Sequence, residues 1–324
     1  MSQSAFIAAL LFDGQGGAVE LDLEQVNAWQ PEQGTLWVHI DCANEQGSHW
    51  LSHQSGVGEL VADALLSNDT RPRVSHVNEQ SLIFLRGVNL SEGASPEDMV
   101  SVRIVIDAQR IISTRRRKLL SVSDLIQSLH QGEGPVNSSD FLVRLCHYLT
   151  LRIDAVTATF EDRIAQVEEN VLEESNLAVH RKELMEIRRQ TIHLRRYLAP
   201  QREAMLKMVA ERKAWLLADD RLYLQESTDR LIRSVEELDA IRERAVVTQE
   251  ELVSQVNDQM NQRMYVMSLI AALFLPLGFL TGLLGVNIGG IPGTDNPGAF
   301  LWFSAMLIVV MIAILGFFKF KRWF

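Results

Sequence analysis

Four side chains carry the chemistry that this 324-residue sequence offers most plainly. Cys42, His49 and His53 fall within "CANEQGSHWLSH", and thiolate and imidazole are ligands that a borderline-soft cation such as Zn²⁺ takes. On a helix the two histidines, four positions apart, share a face. An isolated histidine pair is also a common surface feature, and no glutamate completes a metalloprotease helix here. Cys146 and His147 form a second pair, whereas His180 and His193 lie in a basic stretch where solvation is the expected state. Asn287 is of another kind: it stands in "GVNIGG" (285–290), between two long apolar runs. An uncharged amide oxygen at that place offers an acceptor to a cation's hydration shell. No phosphate-binding glycine loop or nucleophile motif occurs, and "DGQGG" (13–17) reads as a turn, so no enzyme is expected.

The elements that must position Asn287 are the apolar runs. Tyr265–Val286 contains no ionisable group except the Tyr265 phenol, and Ala299–Phe318 contains none. Each is about 20 residues, the length at which a helix crosses a hydrocarbon layer. Two such runs in succession argue for a membrane hairpin rather than buried core helices. The start, "MSQSAFIAALLFDG", lacks the basic region of a secretory signal, so the N-terminal bulk is expected in the cytoplasm. Arg263 precedes the first span, Lys319, Lys321 and Arg322 follow the second, and the intervening "NIGGIPGTDNPG" has no Lys or Arg. Both ends are therefore expected inside and the loop outside. Membrane lipid is an expected partner of the spans. The formal charge of −10 argues against nucleic acid as a partner and is compatible with a surface that gathers cations. Two cysteines imply no disulfide framework.

Residues 5–12, 35–41, 80–90, 99–107 and 109–114 are short, β-branched and bounded by turn formers, which predicts strands. "GELVADALLS" and "KLLSVSDLIQSLHQ" have helical spacing. From Asp140 to Arg263 there is no Gly and a single Pro, Pro200, which predicts long amphipathic helices. Acidic 161–174 and basic 180–202 suggest an antiparallel pair of opposite sign bent near "SNLA", or simply two solvated faces. The last helix has no breaker from Arg221 to Pro276 and is expected to run into the first span. The expected fold is thus an α+β membrane protein. It divides into a cytosolic α/β domain (1–138), long cytosolic helices and stalk (139–263), a first transmembrane helix (264–286), an external loop (287–298), a second transmembrane helix (299–318) and a basic tail (319–324).

Two spans enclose no aqueous path, so the chain either anchors a cytosolic function or assembles around an axis. Gly278 and Gly282 have the small-xxx-small spacing of close helix packing. Repeated by symmetry, Gly285, Val286 and Asn287 would place a ring of amides at the outer mouth. The lining below, Met264, Met267, Ala271, Leu275, Gly278 and Gly282, supplies no strong ligand and suits an ion that keeps much of its water. Asp295 outside, and Glu250, Glu251 and Asp258 inside, are candidates for drawing cations to either end, although a turn residue and solvated acids fit as well.

"FLPLGFLTGLLGVNIGGIPG" resembles the end of the first span in the CorA-type metal-ion transporter family, whose signature there is Gly-Met-Asn. Here the triplet is Gly285-Val286-Asn287, which with the following "IGGIPG" is similar to the ZntB-type zinc-transport branch of that family. "NDTRPRVS" (68–75), "STRRRKLL" (113–120) and "RRYLAPQR" (195–202) extend the likeness along the chain. The resemblance implies a homopentamer with a cytosolic funnel in a bacterial inner membrane, first spans lining the pore and Asn287 at its entrance. It implies transport of Zn²⁺ and related divalent ions with proton coupling, the metal being cargo and no cofactor being resident. A magnesium or cobalt channel of the same architecture, and a membrane-anchored sensor, are the alternatives.

Overall fold

The computed structural model describes residues 6–68, 70–172, 177–285 and 296–321. Its chain divides into two compact units, Met1–Gln249 and Glu250–Phe324.

The first unit is built on a seven-stranded sheet. Its strands are β1 (Phe6–Phe12), β2 (Ala18–Glu20), β3 (Leu36–Asp41), β4 (Arg73–Val77), β5 (Gln80–Gly87), β6 (Val100–Ile106) and β7 (Arg110–Arg115), in the spatial order β2-β1-β3-β7-β6-β5-β4. Only the central pair β3–β7 is parallel; Leu36 lies opposite Arg110 and Asp41 opposite Arg115. Central strands buried on both faces need apolar side chains on both, which is why "LWVHI" and "RIVI" read as nearly continuous apolar runs. One face is covered by α1 (Leu23–Ala28), α2 (Glu45–His53) and α3 (Glu59–Leu66), with Val38, Ile40, Trp50, Leu65 and Phe84 in the shared core. On the other face Trp37 meets Phe141 edge-on, 4.8 Å between ring centroids. That layer holds α4 (Leu120–Gln131), closed by Gly132 at φ 76°, a left-handed conformation that glycine adopts without penalty.

Five strands fall where they are expected, with ends shifted by one to three residues. Two were not predicted. β2 is only three residues long, and β4, "RVSHV", is a polar edge strand with a single buried residue.

Long helices complete this unit: α5 (Ser138–Leu172), α6 (Leu177–Ala210) and the first part of α7 (Ala218–Leu284). α5 and α6 fold back on each other, but not through the acid-to-base pairing their overall charge suggests. Their ion pair runs the other way, Arg163 of the acidic helix to Glu183 of the basic one at 2.9 Å. The complementary charges go instead to α7. Glu168 of α5 accepts from Nε and Nη2 of Arg244, and Arg195 of α6 pairs with Asp239 at 2.5 Å. On α7, Leu224, Leu231, Leu238 and Ala245, spaced by sevens, are all essentially inaccessible to solvent. This is the seam that packs the helix into the unit.

The second unit comprises the remainder of α7, continuous to Leu284 with Pro276 inside it, and α8 (Ala299–Phe320).

Candidate functional site

The end of α7 is the segment whose sequence bears on function, and its local geometry follows from three residue types. Pro276 has no N–H to give the Ala272 carbonyl, so the helix gives up one internal hydrogen bond. One turn on, the Thr281 hydroxyl donates back to the carbonyls of Leu277 (3.0 Å) and Gly278 (3.1 Å). This satisfies a polar side chain where the surrounding sequence has nothing else to offer it. Sequence reasoning passed over Thr281, although a hydroxyl between two glycines of an apolar helix is itself a signal. Gly285 then ends the helix, its N–H on the Thr281 carbonyl at 2.9 Å. A Cβ at Gly285 would stand 2.8 Å from that same carbonyl oxygen, a backbone atom, so any side chain would force the last turn open.

Gly278 and Gly282 are another matter. A Cβ at either would meet nothing within 4 Å. Among the described residues there is no steric reason for glycine at these positions, yet each weakens the helix by about 1 kcal/mol relative to alanine. Met264, Met267, Ala271, Leu275, Gly278 and Gly282 recur at steps of three and four, so they form one stripe of the helix. All are exposed, Leu275 to 73 %. The apolar windows of α7 and α8 have mean hydropathies of 2.1 and 2.6 and are 0 % buried. Surface of that kind has to be covered by lipid or by other helices. No charged side chain occurs from Met264 to Leu284 or from Ala299 to Phe318.

Val286, Asn287 and Asp295 lie outside the described residues. Glu250 and Asp258 are exposed on α7.

The zinc-ligand set expected in the N-terminal part is not assembled. His49 and His53 do lie together, rings stacked at 4.5 Å on exposed turns of α2, with His53 Nδ1 3.1 Å from the His49 carbonyl. Cys42 is not joined to them. Its buried Sγ donates to the Arg115 carbonyl at 3.1 Å and receives an Arg103 N–H at 3.5 Å. Among the described residues no three His, Cys, Asp or Glu side chains are grouped so as to hold a metal ion. Cys146 is fully buried, and burial pushes its thiol up to about 12, far from the thiolate a metal needs. His39, also buried, is pulled down to about 3 by burial and secondarily by Arg115, and so stays neutral. Its Nδ1 lies 2.8 Å from Ser113 Oγ, which accepts from Trp37 Nε1 at 2.8 Å.

An α/β unit with long helices, followed by two charge-free C-terminal spans and a glycine-bearing stripe on the first of them, defines an integral membrane protein with two transmembrane helices. The family described as CorA-like Mg²⁺ transporter protein matches residues 32–322, and the chain belongs to that family. It is 40 % identical over 309 residues to the "Divalent cation transporter CmaX" of Pseudomonas aeruginosa, covering 94 % of this chain and 92 % of the relative. It is 37 % identical over 324 residues to the "Zinc transport protein ZntB" of Pectobacterium atrosepticum, covering 100 % of this chain and 97 % of that one. The solved structure of full-length CmaX superposes with a TM-score of 0.84 at 37 % identity, covering 99 % of both chains.

Proposed function

We propose that this chain carries divalent cations, zinc foremost, across the bacterial cytoplasmic membrane through the central pore of a homo-oligomer. In this reading five copies form a cytosolic funnel, the α7 helices surround the pore, and Gly285, Val286 and Asn287 close its outer end. The observation that carries the reading is the glycine pair Gly278 and Gly282. Among the described residues nothing lies within 4 Å of a Cβ placed at either position, and both are exposed on the charge-free stripe. Close approach of α7 from another copy explains both features. The named activities of the two relatives support the choice of cargo.

A stripe without Asp, Glu, His or Cys provides no tight inner-sphere site, so the ion would pass largely hydrated. Proton coupling would then act through groups outside the spans, since neither span holds an ionisable relay.

The test is ion flux in vesicles reconstituted with the purified chain, offering Zn²⁺, Co²⁺ and Mg²⁺ separately, with and without an imposed pH gradient. Zn²⁺ entry, faster with the outside acidic, is the expected result. Mg²⁺ entry without Zn²⁺ entry would move the assignment to a magnesium channel of this architecture. A strictly monomeric protein in bilayers would overturn the pore itself.

A further inference from the structure

On the side of the sheet that carries α1 to α3, the unit Met1–Gln249 holds a cleft of about 220 Å³. Its floor is apolar, formed by Leu36 and Val38 of β3 and Ile112 of β7, all buried. Two indoles, Trp29 and Trp50, also line it. Each is fixed through its own N–H group. Trp29 Nε1 donates to the Gly34 carbonyl at 3.2 Å, and Trp50 Nε1 donates to Asn27 Oδ1 at 2.9 Å. Phe6 steadies Trp50 further, the two rings meeting edge-on at 5.0 Å. At about 30 Å³ per water, the cleft has the space of about seven waters, which limits an occupant to a small molecule.

Among the lining residues Arg110 alone is charged, and the amides of Asn27 and Gln54 join it there. Arg110 Nη1 donates to the Ser55 carbonyl at 2.8 Å, which fixes the plane of the guanidinium. Its remaining side-chain N–H groups have no hydrogen-bond partner among the described residues. Burial lowers the pKa of this group, and the charge of Asp107 offsets only part of that. Asp107 is engaged elsewhere. Its Oδ1 accepts from the backbone N–H groups of Gln109 (3.1 Å) and Arg110 (2.8 Å), and its Oδ2 from the Gln80 amide (3.0 Å). Among the described residues no carboxylate forms an ion pair with Arg110. The guanidinium is therefore partly desolvated, short of compensating charge and left with N–H groups to give. A carboxylate takes two such groups at once. Apolar lining with a few polar groups held in place is the usual make-up of a small-molecule site. Side chains already fixed need little ordering when a ligand arrives.

We propose that this cleft binds a small aromatic carboxylate, with the carboxylate on Arg110 and the ring on the apolar floor against Trp29 and Trp50. A flat apolar ring suits indole surfaces, and the space admits little more than a single ring. The site is one of binding alone and does not rest on the transport reading.

Saturation-transfer difference NMR on the full chain in lipid nanodiscs tests it, with benzoate as the probe and benzamide and acetate as controls. Benzoate half-saturates the site at about 1 mM or below, an affinity within reach of a ligand of this size. Benzamide, its uncharged counterpart, binds at least about tenfold more weakly, as does acetate, which has no ring. Arg110→Gln removes the charged fork and weakens benzoate at least about tenfold. Asn27→Asp changes an exposed residue and keeps an oxygen for Trp50 Nε1, yet sets a negative charge at the cleft. It weakens benzoate about three- to tenfold by repulsion. Should Arg110→Gln fail to fold, Asn27→Asp decides the matter alone. No saturable benzoate signal up to about 10 mM would overturn the proposal. So would benzamide binding as well as benzoate, which would mark an apolar cleft only, or unchanged benzoate affinity in the variants.

Discussion

Gln201 behaves towards Arg86 as a neighbouring strand would. Its side-chain amide accepts from the Arg86 N–H at 2.6 Å and returns a hydrogen to the Arg86 carbonyl at 3.0 Å, across 115 positions of sequence. The side chain is wholly buried, so these bonds have no solvent substitute. They tie α6 to the sheet one residue beyond Pro200, where the helix is weakest.

Replacing Gln201 with Ala strands two partly buried backbone groups. The expected loss is about 2–4 kcal/mol of stability, since each unsatisfied buried group costs about 1–3 kcal/mol. Thermal melting of the full chain followed by tryptophan fluorescence should show a midpoint lowered by several degrees. An unchanged midpoint would mean that the clasp contributes nothing.

His39 makes the first unit sensitive to acid. Its pKa is about 3 in the fold against 6.5 as the ordinary value, the cause being burial and then Arg115. Between these values the unfolded chain holds a proton that the folded chain lacks, so stability is fully present above pH 6.5 and falls with pH down to about 3. The slope from this group is about 1.4 kcal/mol per pH unit. Denaturant unfolding of His39→Gln across pH 4–6.5, set against the parent, should give a pH dependence shallower by one proton.

Gly278→Leu and Gly282→Leu separate a helix-packing role from a lipid-facing one. Among the described residues nothing lies within 4 Å of a Cβ at either position, so the variants should insert and keep a normal cytosolic unit. Oligomers measured by crosslinking in bilayers should be lost, and zinc flux with them. Tolerance of both changes would place the stripe against lipid and remove the main support for the pore.

Asn287→Leu exchanges the proposed entrance amide for an apolar group of similar size. Zinc flux in vesicles should drop to background while the oligomer persists. Retained flux would show that the ion does not depend on this amide.

Much of the fold was legible because burial imposes patterns. Continuous apolar runs marked the central strands, and steps of three and four marked α3, α4 and α7. β4 escaped because it is an edge strand in which Val74 alone is buried, so most of "RVSHV" is free to be polar. The charge partners of α5 and α6 were misjudged for a different reason. Which helix answers Glu168 or Arg195 depends on the third helix, and pairwise comparison of two stretches contains no trace of it. The glycines of α7 were readable as small residues. That Gly285 answers to its own Thr281 carbonyl, while Gly278 and Gly282 answer to nothing among the described residues, needed coordinates. The Cys42–His49–His53 set illustrates the reverse: proximity in sequence did not bring the thiol to the imidazoles.

The sevenfold spacing of Leu224, Leu231, Leu238 and Ala245 governs which length changes α7 can absorb in evolution. Deleting one residue between Leu231 and Leu238 rotates everything downstream by about 100°. Asp239 and Val246 would then occupy the places of Leu238 and Ala245, with a carboxylate driven into the packed groove. Losing an entire heptad shortens the helix yet leaves its phase intact. Homologous chains should therefore differ here by multiples of seven residues, if they differ at all.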